Sequence, residues 1–372
     1  MSNFSKKAIM EILDSAGIVI GGEQPGDIII NNPEVFSAIA KHGSLGLGES
    51  YMDGWWDCTN LDVFFAKLLR HPAAAENKLP LMQRLVLHFY RLLNPQRKSR
   101  AFEVGEKHYD IGNDLYEAML GESMVYTCAY WKDANDLTAA QYAKMDLICR
   151  KLQLKPGMKV LDIGCGFGSF AKYAAEHYKV HVTGVTISKE QLSYAENRCR
   201  GLDVAFALMD YRHLNGKYDA ITSIGMFEHV GDKNYAIYMQ KAAEVLSDDG
   251  LFLLHSIASN KYRAHGEQWI SKYIFPNGQL PSLKSIAQSI EDNFVLEDLH
   301  NIGVNYDYTL MSWYHNFVRS WPQLAHKFDD RFYRMWSYYL LSCAGEFRAR
   351  DIQVWQLLLS KNGIIGGLPP VR

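Results

Sequence analysis

Apolar residues recur with a helical period in three stretches near the start of the chain, residues 5–16, 33–41 and Leu61–Arg70, the last behind a Thr59-Asn60 cap. Between them lies GSLGLGESYMDGWWDC, whose close-set glycines and Trp55-Trp56 pair predict a tightly packed turn, a structural corner more than a site. From Leu154 onwards the pattern changes. Short apolar runs at Lys159–Ile163, 180–187, 203–209, Tyr218–Ile224 and 251–256 read as strands, with helical stretches at 170–177, after Ser188 and at about 233–246. This alternation predicts an α/β fold with a doubly wound, mostly parallel sheet, and a smaller, mainly helical amino-terminal domain.

Residues 81–93 are amphipathic in a different way. Arg84, His88 and Arg91 share one helical face, and Leu85, Val86, Phe89, Leu92 and Leu93 cover the rest. From Lys78 to Phe102 there are six Lys or Arg and no acid. The pattern fits a helix on an anionic membrane surface, and equally a core-facing helix with a solvated linker. The expected organisation is an amino-terminal domain over 1–77, a basic helix and linker over 78–105, and a catalytic domain over 106–372.

Composition narrows the classes. A net charge of -2 over 372 residues argues against a general nucleic-acid binder. The six cysteines form no C-x-x-C pair, so neither a metal site nor a disulfide framework is expected. There is no leader-like start and no apolar run of about 18 residues, so a cytoplasmic protein is the default.

The candidate chemistry starts at KVLDIGCGFGSF, a strand running into a glycine turn. A dinucleotide fingerprint needs G-x-G-x-x-G, but Ser169 occupies the third position and the glycines fall at Gly164, Gly166 and Gly168. With Asp162 before it, G-x-G-x-G is the S-adenosylmethionine pattern, and the sheet is expected to be of that methyltransferase type. Ligands of open α/β sheets sit beyond the carboxyl ends of the strands. Each strand here delivers polar groups to that edge: Asp162; Thr186, Ser188 and Gln191; Asp210, Tyr211 and Arg212; Glu228 and His229; and His255. The second strand ends in GVTIS, without the acid that often grips a ribose. Either Thr186 and Gln191 hold the nucleoside instead, or the cofactor is a different one.

The stretches GSLGLGESYMDGWW, KHYDIGNDLYEAML, YTCAYW, VLDIGCGFG, GVTISKEQ, MFEHVG, KYIFPNG and CAGEFRARDIQ together resemble the bacterial cyclopropane-fatty-acyl-phospholipid synthases over essentially the whole chain. The resemblance implies methylene transfer from S-adenosylmethionine to the cis double bond of an acyl chain in a membrane phospholipid. It implies cofactor binding by Tyr126, Thr127, Val160, Asp162, Gly164, Gly166, Gly168, Thr186, Gln191, Tyr211 and Arg212. It also implies a bicarbonate ion held by Cys128, Glu228, His255, the backbone at Ile257, and Tyr306. The implied partners are unsaturated phospholipids and an anionic leaflet on the inner face of the cytoplasmic membrane; pairing with a second copy is left open.

The residue types suit that chemistry. An alkene is a weak nucleophile and needs a closely held electrophile. The carbocation it leaves must be kept from water, which aromatic faces at Tyr126, Tyr130, Trp131, Phe227 and Tyr306 would help. Bicarbonate beside Glu228 is tolerated if the acid is neutral or paired with His255. Each residue also has a plainer reading: Glu228 as a helix-start acid, His255 as a core histidine, Cys128 as a small hydrophobe, Tyr306 as a loop anchor. Cys343 could be proposed as a nucleophile from its CAG context. It also continues a helical stripe with Phe328, Phe332, Trp336 and Tyr339, which reads as buried and inert. A methyltransferase for a small acceptor and a non-catalytic lipid binder are the rival functions.

Overall fold

The computed structural model describes residues 3–70, 112–264 and 266–372. The basic helix and linker expected over 78–105 lie outside the described residues. Contacts divide the chain into two compact units, Met1–Leu93 with Gly266–Pro276 and Tyr306–Ile352, and Asn94–His265 with Asn277–Asn305 and Gln353–Arg372. The stretch 106–372, read from sequence as one domain, is therefore shared between both units. The apolar helical faces of 266–276 and 306–352 pack with the amino-terminal helices.

The first unit is mainly helical. It contains α1 (Asn3–Ser15), α2 (Val35–His42), α3 (Ser44–Met52) and α4 (Leu61–Arg70), with a two-stranded antiparallel pair, β1 (Ile28–Ile30) and β2 (Trp56–Cys58). Of the glycine-rich stretch expected to be a turn, Ser44–Met52 is helix α3, and the chain turns only at 53–55 before β2. The helix glycines serve close packing: a Cβ at Gly46 would meet the Ala38 carbonyl, and one at Gly48 would strike the Trp269 ring. Helix propensity argues against glycine here, and tertiary contact overrides it. Later segments of this unit are helices at Gln268–Tyr273, Val304–Leu324 and Asp330–Ala349. Arg348 joins three of its helices, donating to Asp62 at 2.6 Å and to Asp307 through two bonds of 2.8 Å.

The second unit holds the sheet. Strands β3 (Lys159–Ile163), β4 (His181–Thr186), β5 (Val204–Leu208), β6 (Tyr218–Ile224) and β7 (Leu246–Ser259) pair in parallel, and β8 (Val295–Asn301) with β9 (Ile352–Ser360) completes seven. The strand order is β5-β4-β3-β6-β7-β9-β8, with β8 antiparallel to β9. Val160, Leu161 and Ile163 are fully buried because a central parallel strand is covered on both faces. Each such side chain contributes about 1.5–3 kcal/mol. The chain leaves β3 on one side for β4 and returns on the other for β6, so the carboxyl end of β3 lies at a topological switch point. The expected strands over 159–256 are all present, β7 being longer than the 251–256 read from sequence.

Candidate active site

A cavity opens at the carboxyl edge of the sheet, walled by residues following β3, β4, β5 and β6 together with residues 124–127 and Lys144. Gly164 makes the turn after β3 with φ +82°, and a Cβ there would stand 2.7 Å from Met226. Only glycine meets both demands. Ser169, which excluded the dinucleotide fingerprint, donates to the carbonyls of Ser123 (2.7 Å) and Met124 (3.1 Å), and Arg198 donates to its hydroxyl at 2.9 Å. It thus pins the glycine-turn helix, Ser169–Tyr178, to the segment that forms another cavity wall.

Of the expected cofactor residues, Tyr126, Thr127, Asp162, Gly164, Gly166, Thr186, Gln191, Tyr211 and Arg212 line this cavity. Val160 and Gly168 do not. The Val160 side chain is in the core with Phe170 and Val182, and Gly168 faces Ala195 and Phe206. Where the ribose-gripping acid was missing, Thr186 donates to Gln191 Oε1 at 3.0 Å and accepts the Ser188 N–H at 3.2 Å. After β5, Asp210 is bound to Arg212 at 2.8 Å. Burial pushes the Asp162 carboxyl up to about 7, against the nearby Lys144 charge, and pushes Lys144 down to about 8. Fed by four strand ends that bring polar groups to a mostly apolar wall, the cavity fits an S-adenosyl cofactor.

The residues assigned to bicarbonate divide. Glu228, in a short 3-10 turn after β6, accepts the Ile257 N–H on Oε1 at 2.6 Å. Its Oε2 is buried and makes no hydrogen bond of normal geometry among the described residues. Burial raises this carboxyl to about 7, partly opposed by backbone donors and by the Ser256 hydroxyl. His255 sits within hydrogen-bond distance of Gln356 Nε2, at 3.3 Å from Nδ1, and burial holds its pKa well below the usual histidine value. The Cys128 thiol reaches the Ala129 carbonyl at 3.3 Å. Cys128, Glu228 and His255 are buried and do not line this cavity. Tyr306 belongs to the first unit, where it stacks on Phe347, and its part in this shell rests on the resemblance alone.

Two expectations change. Phe227 is fully buried and stacked on Tyr235 at 4.2 Å, inside the sheet's core rather than facing the cavity. Cys343, expected to be buried, is partly exposed on the helix Asp330–Ala349. Its thiol is nonetheless held well above the ordinary range, chiefly by desolvation. Sequence reading missed Lys144, Gln141 and Gln356, all buried polar side chains that touch the site's residues. Gln141 and Lys144 fall three apart on the buried face of the helix Leu137–Lys151, a polar interruption that could have marked them.

Residues 96–357 match the family model described as mycolic acid cyclopropane synthetase. Over 364 residues the chain is 55% identical to the cyclopropane-fatty-acyl-phospholipid synthase of Escherichia coli strain K12, covering 97% of this chain and 94% of that protein. Among solved structures, the cyclopropane synthase MmaA2 from Mycobacterium tuberculosis matches with TM-score 0.66 and 31% identity, over 70% of this chain and 98% of that one. The mycolic acid cyclopropane synthase CmaA1, solved with SAH and CTAB, matches with TM-score 0.66 and 30% identity, again over 70% and 98%. The glycine turn, the cavity at the switch point and these matches agree: the chain belongs to the mycolic acid cyclopropane synthetase family of S-adenosylmethionine-dependent methyltransferases.

Proposed function

We propose that this protein transfers a methylene group from S-adenosylmethionine to the cis double bond of an unsaturated acyl chain in a membrane phospholipid. Methyl transfer to the alkene would leave a carbocation, and a bicarbonate ion held at Glu228, His255, Cys128, the Ile257 backbone and Tyr306 would supply the base for its proton. The observation that carries the reading is the buried Glu228 carboxyl, whose Oε1 accepts from Ile257 while its buried Oε2 has no hydrogen bond of normal geometry among the described residues. A buried polar atom without a partner is costly, and a ligand that bonds to it explains its retention. S-adenosylmethionine supplies the electrophilic methyl group and bicarbonate a base. The 55% identity with a phospholipid synthase over nearly the whole chain supports the substrate class.

The chain's own residues have separable tasks. Tyr126, Thr127, Thr186, Gln191, Tyr211 and Arg212 bind and orient the cofactor from the cavity wall. Glu228, about half protonated near neutral pH, can donate a hydrogen bond to an anion instead of repelling it. His255 stays neutral by burial and is oriented by Gln356. Among the described residues no helix is long and apolar enough to cross a membrane. The test is incubation with labelled S-adenosylmethionine and unsaturated phospholipid vesicles, with proton NMR for the ring methylene. A cyclopropane signal in the lipid is expected. A methyl-branched alkene, or no label in lipid, overturns the reading.

A further inference from the structure

Lys144 plays no part in the reaction proposed above, yet it is buried to 1% exposure and forms part of the cavity wall. Its Nζ donates to Thr127 Oγ1 at 2.9 Å. Gln141, three residues earlier on the same helix and fully buried, donates its Nε2 to the Thr127 carbonyl at 2.9 Å. On the third side a Cβ at Gly225 would stand 2.6 Å from Thr127 Cγ2. The hydroxyl, carbonyl and methyl group of one threonine are thus each held by a different neighbour.

That convergence calls for an explanation, because burying an ammonium group is unfavourable even with the Asp162 carboxyl nearby. A methionine would fill the same space without that cost if packing alone were at stake. What Lys144 and Gln141 hold is the short segment bearing Tyr126 on one side of Thr127 and Cys128 on the other. We propose that Lys144, with Gln141, is a positioning residue that fixes the Tyr126–Thr127–Cys128 segment so that the cofactor-facing wall is formed before the cofactor arrives. This rests on S-adenosylmethionine being the cofactor, and it adds a role for two residues that touch no reacting atom.

The experiment is a double-mutant cycle with Lys144→Met and Thr127→Val, read by calorimetric binding of S-adenosylhomocysteine and by the KM and kcat for S-adenosylmethionine. Each single variant should weaken binding about tenfold or more, as expected for a hydrogen bond to a charged group. The loss should fall on KM, with kcat at saturation largely kept. The double variant should bind no more weakly than the worse single one, because both remove the same interaction. Additive losses, or wild-type affinity in Lys144→Met with only a lower unfolding temperature, would overturn the proposal. If Lys144→Met does not fold, Gln141→Leu carries the test, since Gln141 lies outside the cavity wall; wild-type affinity there would overturn it equally. A wild-type protein that binds no S-adenosylhomocysteine would instead sink the cofactor reading.

Discussion

The Glu228 carboxyl and the Ile257 backbone N–H meet at 2.6 Å, tying the turn after β6 to the strand beside it. The acid does not line the cavity at the strand ends. Glu228→Gln should bind S-adenosylmethionine nearly normally while turnover falls about 10²–10⁴-fold, the usual range for removing acid–base assistance. Calorimetry beside turnover decides this. Equal losses in affinity and rate would assign Glu228 to cofactor binding.

The same carboxyl has a signature in stability. Its folded pKa, about 7, lies above the ordinary 4.5, so the folded state holds the proton more tightly than the unfolded state. The contribution is fully present below about pH 4.5 and is lost as pH rises towards 7, up to about 3 kcal/mol. Protein without added bicarbonate should lose stability over that window, and Glu228→Gln should lose less. Chemical denaturation of both proteins between pH 5 and 8 measures the difference; parallel curves would mean the acid is not perturbed.

Cys343→Ser should remain active. The thiol is held well above its usual range, so little thiolate exists near neutral pH, and no step of the proposed reaction needs one. Any lost activity should track a lower unfolding temperature. A folded but inactive variant would give the sulfur a chemical role.

Arg348→Met should loosen the first unit. It leaves Asp62, which is buried, and Asp307 without their shared cation. Because the arginine side chain is about one-third exposed, the cost is placed below that of a fully buried pair, at about 2–3 kcal/mol. Hydrogen exchange should speed up in Leu61–Arg70 and stay unchanged in β3 and β6. Unchanged protection in Leu61–Arg70 would show that packing alone holds that helix.

The basic segment around residues 97–100 is proposed as a contact with anionic membrane. Replacing Arg97, Lys98 and Arg100 with Gln should weaken binding to anionic vesicles by roughly 3 kcal/mol at low salt, at about 1 kcal/mol per charge. The defect should shrink with added salt, while cofactor affinity stays constant. Co-sedimentation across salt and anionic-lipid content is the measurement. Superimposable binding curves would return the segment to the role of a solvated linker.

The alternating pattern from Leu154 and the spacing of Gly164, Gly166 and Gly168 were enough to read the sheet and its cofactor edge, because strand period and turn conformation are local properties. Ser169 excluded a dinucleotide site from sequence alone, and its structural task only confirmed why the position is not glycine. Other features depended on residues far apart in the chain. Glycine at positions 46 and 48 reads as a turn until Ala38 and Trp269 are seen against the helix. The three-sided hold on Thr127 draws on positions 141, 144 and 225, and Gln356 reaches His255 from 101 residues away. Apart from the polar interruption that Gln141 and Lys144 make in the buried face of one helix, such partners leave no periodic trace. Only the tertiary structure, by burying polar groups that must then find one another, decided which side chains support the site.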